Sequence, residues 1–186
     1  DGPYLDVAGN DSLDFKNTGL KLDANYQFEC QKTVNLSGGH SSCLLDDDGS
    51  LYQVYHSRYT ADAGQGFNTK IHKMARTKNG WVVMLPYEYQ GESLVKVSAK
   101  EIPGAYQLVD STNMTHRKET WESPWEDIIV PTQYIRLNLD GTITGARDYA
   151  CTITYPQISS KSVSGTWKLT DNGAYAEFKL GDVTIA

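Results

Sequence analysis

The chain has 186 residues, room for one ordinary domain or two small ones, and its 17 Lys and Arg against 23 Asp and Glu leave a net charge of −6. That acidity argues against a nucleic-acid binder, whose phosphate affinity comes from clustered Lys and Arg; 39% hydrophobic and 22% charged residues indicate a globular rather than a disordered chain. No apolar run approaches the roughly 20 residues that cross a bilayer as a helix, and no signal peptide is visible, although Asp1 in place of Met implies that something upstream has been removed.

Helical periodicity is nearly missing, and short alternating runs between turn residues take its place. In chain order the first feature is Ser37-Gly38-Gly39-His40-Ser41-Ser42, where two glycines let the backbone approach something closely and a His follows directly. His40 reads either as a metal ligand or site hydrogen-bonding group, or as a turn His satisfied by backbone. Asp46-Asp47-Asp48-Gly49 resembles the start of a calcium loop but lacks the alternating ligand spacing and the distal Glu. An acidic β-turn is predicted there. It leads into a strand over Leu51–Tyr59, whose alternation puts Tyr55, Ser57 and Tyr59 on one face and His56 and Arg58 on the other. The His–Arg face either orients a polyhydroxylated or anionic ligand or is simply solvated. Thr69–Thr77 is the next strand, with Ile71, Lys73 and Ala75 opposite His72, Met74 and Arg76. Lys78-Asn79-Gly80 is a hairpin turn and Trp81–Leu85 the returning strand, which makes a three-stranded meander.

After Pro86 the texture changes. Residues 93–100 read as a strand or an extended linker, Gly104–Val109 as a strand, and 111–131 as a polar excursion containing Trp and Pro. Thr132–Leu139, a turn at Asp140-Gly141, Thr142–Gly145, Ala150–Tyr155, Ser162–Leu169 and Ala174–Leu180 complete the series. Strands at this spacing indicate a sandwich or barrel. The chain therefore divides near residue 100 into two β units, 1–100 and 101–186.

Three cysteines, Cys30, Cys43 and Cys151, show no C-x-x-C spacing, so a zinc site or redox pair is not expected. They are read as buried thiols, with a Cys30–Cys43 bridge as the lesser alternative in an oxidising compartment. The 12 Tyr and 4 Trp suit sugar-binding clefts as well as interfaces, but β-propensity alone accounts for them. No nucleophile elbow, phosphate-binding glycine loop or H-E-x-x-H is present, and no carboxylate is marked as a general acid. No catalytic residue is assigned.

Three stretches in fixed order carry a resemblance: Asp1-Gly2-Pro3-Tyr4-Leu5-Asp6 with Gly9; Gly39-His40-Ser41-Ser42 followed by Leu51 to Tyr59; and Ile71-His72-Lys73-Met74 with Asn79-Gly80-Trp81-Val82-Val83 and Pro86 to Glu92. Together they resemble the late part of glycoside hydrolase family 43 arabinanases, over about residues 1–92. Ile102-Pro103-Gly104-Ala105-Tyr106, Asp140 to Gly145 and Ser164-Gly165-Thr166-Trp167 resemble, more weakly, the β-barrel-like domain that follows. The resemblance implies an all-β chain: the final part of a five-bladed β-propeller, then a β-barrel or sandwich-like C-terminal domain that stops short of its last strands. It implies inverting hydrolysis of α-1,5-linked arabinan by carboxylates that lie upstream of the Gly-Pro-Tyr motif. The chain by itself would then be inactive, and its partners would be arabinan or an arabino-oligosaccharide and the N-terminal propeller part. His40 matches the family's axial His, which helps hold calcium largely through water, and Arg58 would reach substrate hydroxyls. A secreted or periplasmic location follows from a polymeric substrate. The competing readings are a non-catalytic carbohydrate-binding module and a purely structural β-domain; neither nucleic acid nor membrane is an expected partner.

Overall fold

Alternation and turn chemistry build an all-β architecture, with a single 3-10 turn at Asp171–Gly173 among the described residues. The computed structural model describes residues 2–6, 9–13, 22–31, 36–58, 67–109, 132–145, 147–151, 156–162, 164–181 and 183–185. Strands β1 (Leu36–Leu45), β2 (Leu51–Arg58), β3 (Phe67–Arg76) and β4 (Val82–Glu88) form a four-stranded antiparallel sheet in that order. Then follow β5 (Gly104–Leu108), β6 (Gln133–Leu137), β7 (Thr142–Thr144), β8 (Arg147–Cys151), β9 (Pro156–Ser162), β10 (Gly165–Thr170), β11 (Tyr175–Leu180) and β12 (Val183–Ile185). Six of these make a second sheet in the order β12-β11-β10-β7-β6-β5, while β8 and β9 pair with each other. The predicted excursion 111–131 lies outside the described residues.

The Gly-rich segment is not a turn but part of strand β1, which sequence pattern did not disclose. Two register irregularities, between Leu36 and Gly39 and between Gly39 and Ser42, break its alternation against β2. Gly38 is closely covered there: a Cβ would displace the Asp23 carboxylate and come within 3.1 Å of the Tyr55 ring. The acidic turn is as predicted. Gly49 N–H donates to Asp46 C=O at 2.9 Å with Gly49 at φ 84°, and Ser50 N–H donates to the Asp48 carboxylate at 2.8 Å.

On β2, Tyr55 and Ser57 are buried on one face as alternation requires, while His56 and Arg58 are half-buried on the other. Tyr59 lies outside the described residues. β3 departs from simple alternation, because His72, Lys73 and Met74 are all buried. Lys73, in register with Tyr52, runs its stem under aromatic cover: its Nζ lies 5.8 Å from the Tyr52 ring centre and 5.5 Å from Tyr89, and donates to Glu92 C=O at 3.0 Å. The last strand of the sheet does not stop at Leu85. It continues through Pro86 to Glu88, which an edge strand allows because the missing N–H need not face a neighbour. Residues 93–100 form no strand.

The second sheet has its own core of Ile135, Leu137, Ile143 and Trp167, against which Phe178 and Leu180 pack. Trp167 lies in register with Phe178, and its indole N–H donates to Asn138 C=O at 2.8 Å, so the ring also pins the Asp140-Gly141 turn. The continuous strand expected over Ser162–Leu169 is in fact two. β9 ends at Ser162 in its pairing with β8, and β10 starts at Gly165 in a different sheet, between β7 and β11. Of the predicted strand Ala150–Tyr155, the described part belongs to β8, and 152–155 lie outside the described residues.

The thiol expectation fails for two of the three cysteines. Cys30 and Cys43 are exposed and free, Cys30 in a turn and Cys43 on the open outer strand β1. Cys43 meets Gln53 on the sheet surface, and Cys30 reaches only the Tyr87 hydroxyl at 3.9 Å, so the usual preference of Cys for burial is not met at either position. The side chain of Cys151 lies outside the described residues.

Candidate functional site

The glycine pair and the β2 face predicted from the sequence come together on the first sheet. Gly39 sits opposite His56, where a Cβ would lie 3.4 Å from the His56 Nε2, an ordinary contact that places the glycine directly against the imidazole. The next residue, His40, falls in the irregular stretch of β1 and adopts a left-handed backbone, φ 47°. Such a conformation costs a non-glycine residue free energy and is held only where the surroundings impose it. It leaves the His40 side chain exposed, its ring 4.9 Å from that of His56.

From His56 the row continues. Phe67 of β3 meets the His56 ring edge-on at 4.4 Å, and Arg58, in register with Phe67, places its guanidinium carbon 4.5 Å above the Phe67 ring centre. His40, His56, Phe67 and Arg58 thus form one stacked row across three strands. Phe67 was missed from the sequence: it precedes the predicted strand Thr69–Thr77, and only the β2–β3 register shows that it faces Arg58.

The opposite face of β2 is fixed by buried polar bonds. His72 Nδ1 lies 2.7 Å from Leu85 C=O, which can only accept, so Nδ1 carries the proton. Nε2 is then the acceptor for the Tyr55 hydroxyl at 3.1 Å. Ser57 Oγ donates to Leu36 C=O at 2.8 Å and accepts from Leu36 N–H at 3.2 Å, which ties β1 to β2. The row therefore stands on a rigid base. Nearby, burial first and then Asp23 and Tyr87 push the Tyr26 phenol well above its ordinary range, so it stays protonated and donates to Pro86 C=O at 2.7 Å.

Among the described residues no three His, Cys, Asp or Glu side chains converge as a cation cage. In the acidic turn, Ser50 donates from both N–H and hydroxyl to Asp48 and lowers its carboxyl. Those oxygens serve the turn. His40 presents a single exposed imidazole, which fits a contact to the hydration shell of a hard cation rather than a complete ligand set, since calcium takes six to eight oxygens.

Residues 86–186 match the family model described as the GH43 C-terminal lipocalin-like domain. The chain belongs to glycoside hydrolase family 43. An extracellular endo-α-(1→5)-L-arabinanase 2 from Bacillus subtilis is 30% identical over 203 residues, covering 100% of this chain and 36% of that protein. An extracellular endo-α-(1→5)-L-arabinanase from Thermotoga petrophila is 31% identical over 159 residues, covering 78% of this chain and 31% of that protein. The chain thus spans about a third of the length of the curated relatives it matches. Among solved structures, a family 43 glycoside hydrolase from Bacillus licheniformis superposes with a TM-score of 0.72 at 29% identity, over 99% of this chain and 38% of that one. The Thermotoga petrophila endo-1,5-α-L-arabinanase does so with a TM-score of 0.72 at 27% identity, over 98% and 37%. These family 43 neighbours agree with the all-β propeller-end and C-terminal domain architecture implied by the sequence.

Proposed function

We propose that this chain forms the closing part and the following β domain of an exported arabinan-degrading hydrolase that cleaves α-1,5-linked L-arabinan with inversion. The observation that carries the reading is the row His40–His56–Phe67–Arg58 in a chain of this family, because it presents an imidazole and a guanidinium on one rigid sheet face. The carboxylate pair of such a reaction, set roughly 6.5–9.5 Å apart so that a water fits behind the sugar, would come from the N-terminal propeller part. Arg58 is the substrate-binding residue of this reading: stacked on Phe67, its guanidinium carries N–H donors of the kind that bind sugar hydroxyls. His40 is the group that would touch the water shell of a calcium ion. The cation supplies a fixed positive field that favours ionised carboxylates nearby. The names of the extracellular relatives support export.

The test is linear-arabinan hydrolysis and bound calcium in the full-length protein, comparing wild type with His40→Asn. Asn tolerates the left-handed backbone, so the substitution removes the imidazole with little strain. Loss of a group at the metal's outer layer changes metal affinity or activity by about 10–100-fold. We expect a fall of that size mainly in kcat, with reduced calcium content and an unchanged melting temperature. Unchanged kcat and calcium content would remove His40 from the site, and absence of arabinan hydrolysis in the wild type would overturn the reading itself.

A further inference from the structure

A cleft elsewhere on the molecule shares no residue with the His40–Arg58 row. It encloses about 490 Å³, within the roughly 300–1,000 Å³ range of small-molecule sites. Phe28, the Pro86–Tyr87 end of β4, Tyr106 and Gln107 of edge strand β5, and Tyr134 of β6 line it. Among the described residues that line it, none carries a charged side chain. Three of its phenols are open to solvent: Tyr87 is 46% exposed, Tyr106 40% and Tyr134 54%.

The aromatic rings are held in place. Tyr106 donates its hydroxyl to Ile102 C=O at 2.5 Å, and Tyr87 packs against Phe28 with ring centres 5.5 Å apart. Gln107 accepts from Glu29 N–H at 3.1 Å through Oε1, while its amide N–H groups reach the Thr132 hydroxyl at 3.3 Å and the Tyr134 hydroxyl at 3.5 Å. The hydrogen bond to Glu29 first, then burial, raises the Tyr134 phenol above its ordinary range, and burial first, then Cys30, does the same for Tyr87.

Fixed phenol rings around an amide suit one ligand chemistry above others. A sugar ring offers C–H faces that stack on aromatics, and its hydroxyls can donate to phenol oxygens that stay open to solvent although their protons already have partners in the protein. An anionic ligand would find no cation in the lining, and without a carboxyl pair the cleft has no means to hydrolyse a glycosidic bond. We propose that this cleft is a secondary, non-hydrolytic binding site for a neutral oligosaccharide, a role that builds on the carbohydrate reading above. It would hold a polysaccharide chain beside the hydrolytic site and raise its local concentration.

The experiment is calorimetric titration of the protein with a linear arabino-oligosaccharide, a cello-oligosaccharide and a galacturonate oligosaccharide, with near-UV circular dichroism as the check on folding. We expect saturable binding of the arabino-oligosaccharide that is unchanged between about 50 and 500 mM salt, since screening acts only on charges. Tyr134→Ala and Gln107→Ala should each weaken it about tenfold, while Tyr87→Phe, which keeps the ring, should weaken it less. If every folded variant binds like wild type, or no neutral oligosaccharide binds, the proposal is overturned. Preference for the galacturonate oligosaccharide would overturn it too. Binding of the cello-oligosaccharide alone would uphold the cleft and count against arabinan as the substrate, and arabinan hydrolysis assayed separately on the full-length protein shows whether the catalytic reading stands without the cleft.

Discussion

At the scale of single residues, the buried polar groups under the candidate site carry more free energy than the exposed stack above them. An exposed cation–π contact such as Arg58 on Phe67 contributes about 0.5–1 kcal/mol. Removing the donor to His72 Nε2 leaves a buried acceptor unsatisfied, which costs about 1–3 kcal/mol. Tyr55→Phe should therefore lower the unfolding free energy by that amount, read as a shift in urea midpoint at constant slope, while Phe67→Leu shifts it by under about 1 kcal/mol. Asp140 acts in another way. Its carboxylate accepts first from the Thr142 hydroxyl at 2.6 Å and then from Thr142 N–H at 2.9 Å, and both bonds lower its pKa. A carboxyl whose folded value is depressed contributes stability that is present above its unfolded value of about 3.9 and is lost as pH falls through the folded value. Asp48, Glu92, Glu101 and Asp171 are depressed in the same direction. The protein should lose stability as pH drops below about 4, and Asp140→Asn should flatten part of that slope. A slope identical to wild type would show that the turn bonds do not persist in solution.

At the scale of elements, glycine separates two kinds of constraint. Gly49 stands at φ 84° with open space around it, so only its backbone matters. Gly165 is wedged where a Cβ would meet the Ile143 Cβ and the Leu180 Cδ2, each at 2.9 Å. Gly49→Asn should be nearly neutral, because Asn accepts the left-handed region, whereas Gly165→Ala overpacks the second core and should cost about 1–3 kcal/mol. Equal effects of the two in thermal melts would contradict that assignment. The same distinction explains what the sequence could disclose. Regular alternation marked β2 and much of β3, and Asp140-Gly141 marked its turn, since both signals are local. β1 was hidden because its pattern is broken by two irregularities and Gly38 is covered by Asp23 and Tyr55, which are distant in sequence. Lys73 lies inside the predicted strand Thr69–Thr77, but its burial was hidden, since a lysine covered by Tyr52 and Tyr89 looks exposed to any polarity pattern. His40, His56 and Arg58 were legible as residue types, but their joining into one row through Phe67 follows only from the register between strands.

At the scale of the whole molecule, the two sheets meet through a small aromatic plug and a few polar ties, and the plug should dominate. Tyr26 and Phe28 are buried together, packing against Val109 just beyond β5, while Phe28 also contacts Tyr87 at the end of β4. Among the described residues the polar ties include the ion pair Lys78–Asp171, 3.0 Å long with both side chains about half exposed, the bond from Val97 N–H to Gly173 C=O at 3.2 Å, and that from Glu29 N–H to Gln107 Oε1 at 3.1 Å. Exposed ion pairs contribute about 0–1 kcal/mol and a net backbone bond about 0.5–1.5 kcal/mol. Truncating a buried Phe costs about 3–5 kcal/mol. Coupling between the sheets should therefore depend on Phe28. In calorimetry, Lys78→Ala should unfold like wild type, whereas Phe28→Ala should split the unfolding into two transitions, the later one belonging to the sheet built around Trp167. That sheet has a core of its own, so removing the plug takes away contact with its neighbour but none of the packing among Ile135, Leu137, Ile143 and Trp167. If Phe28→Ala kept a single transition at lower temperature, with the indole fluorescence and the far-UV signal lost together, the coupling would have to run through the strands that flank the plug instead.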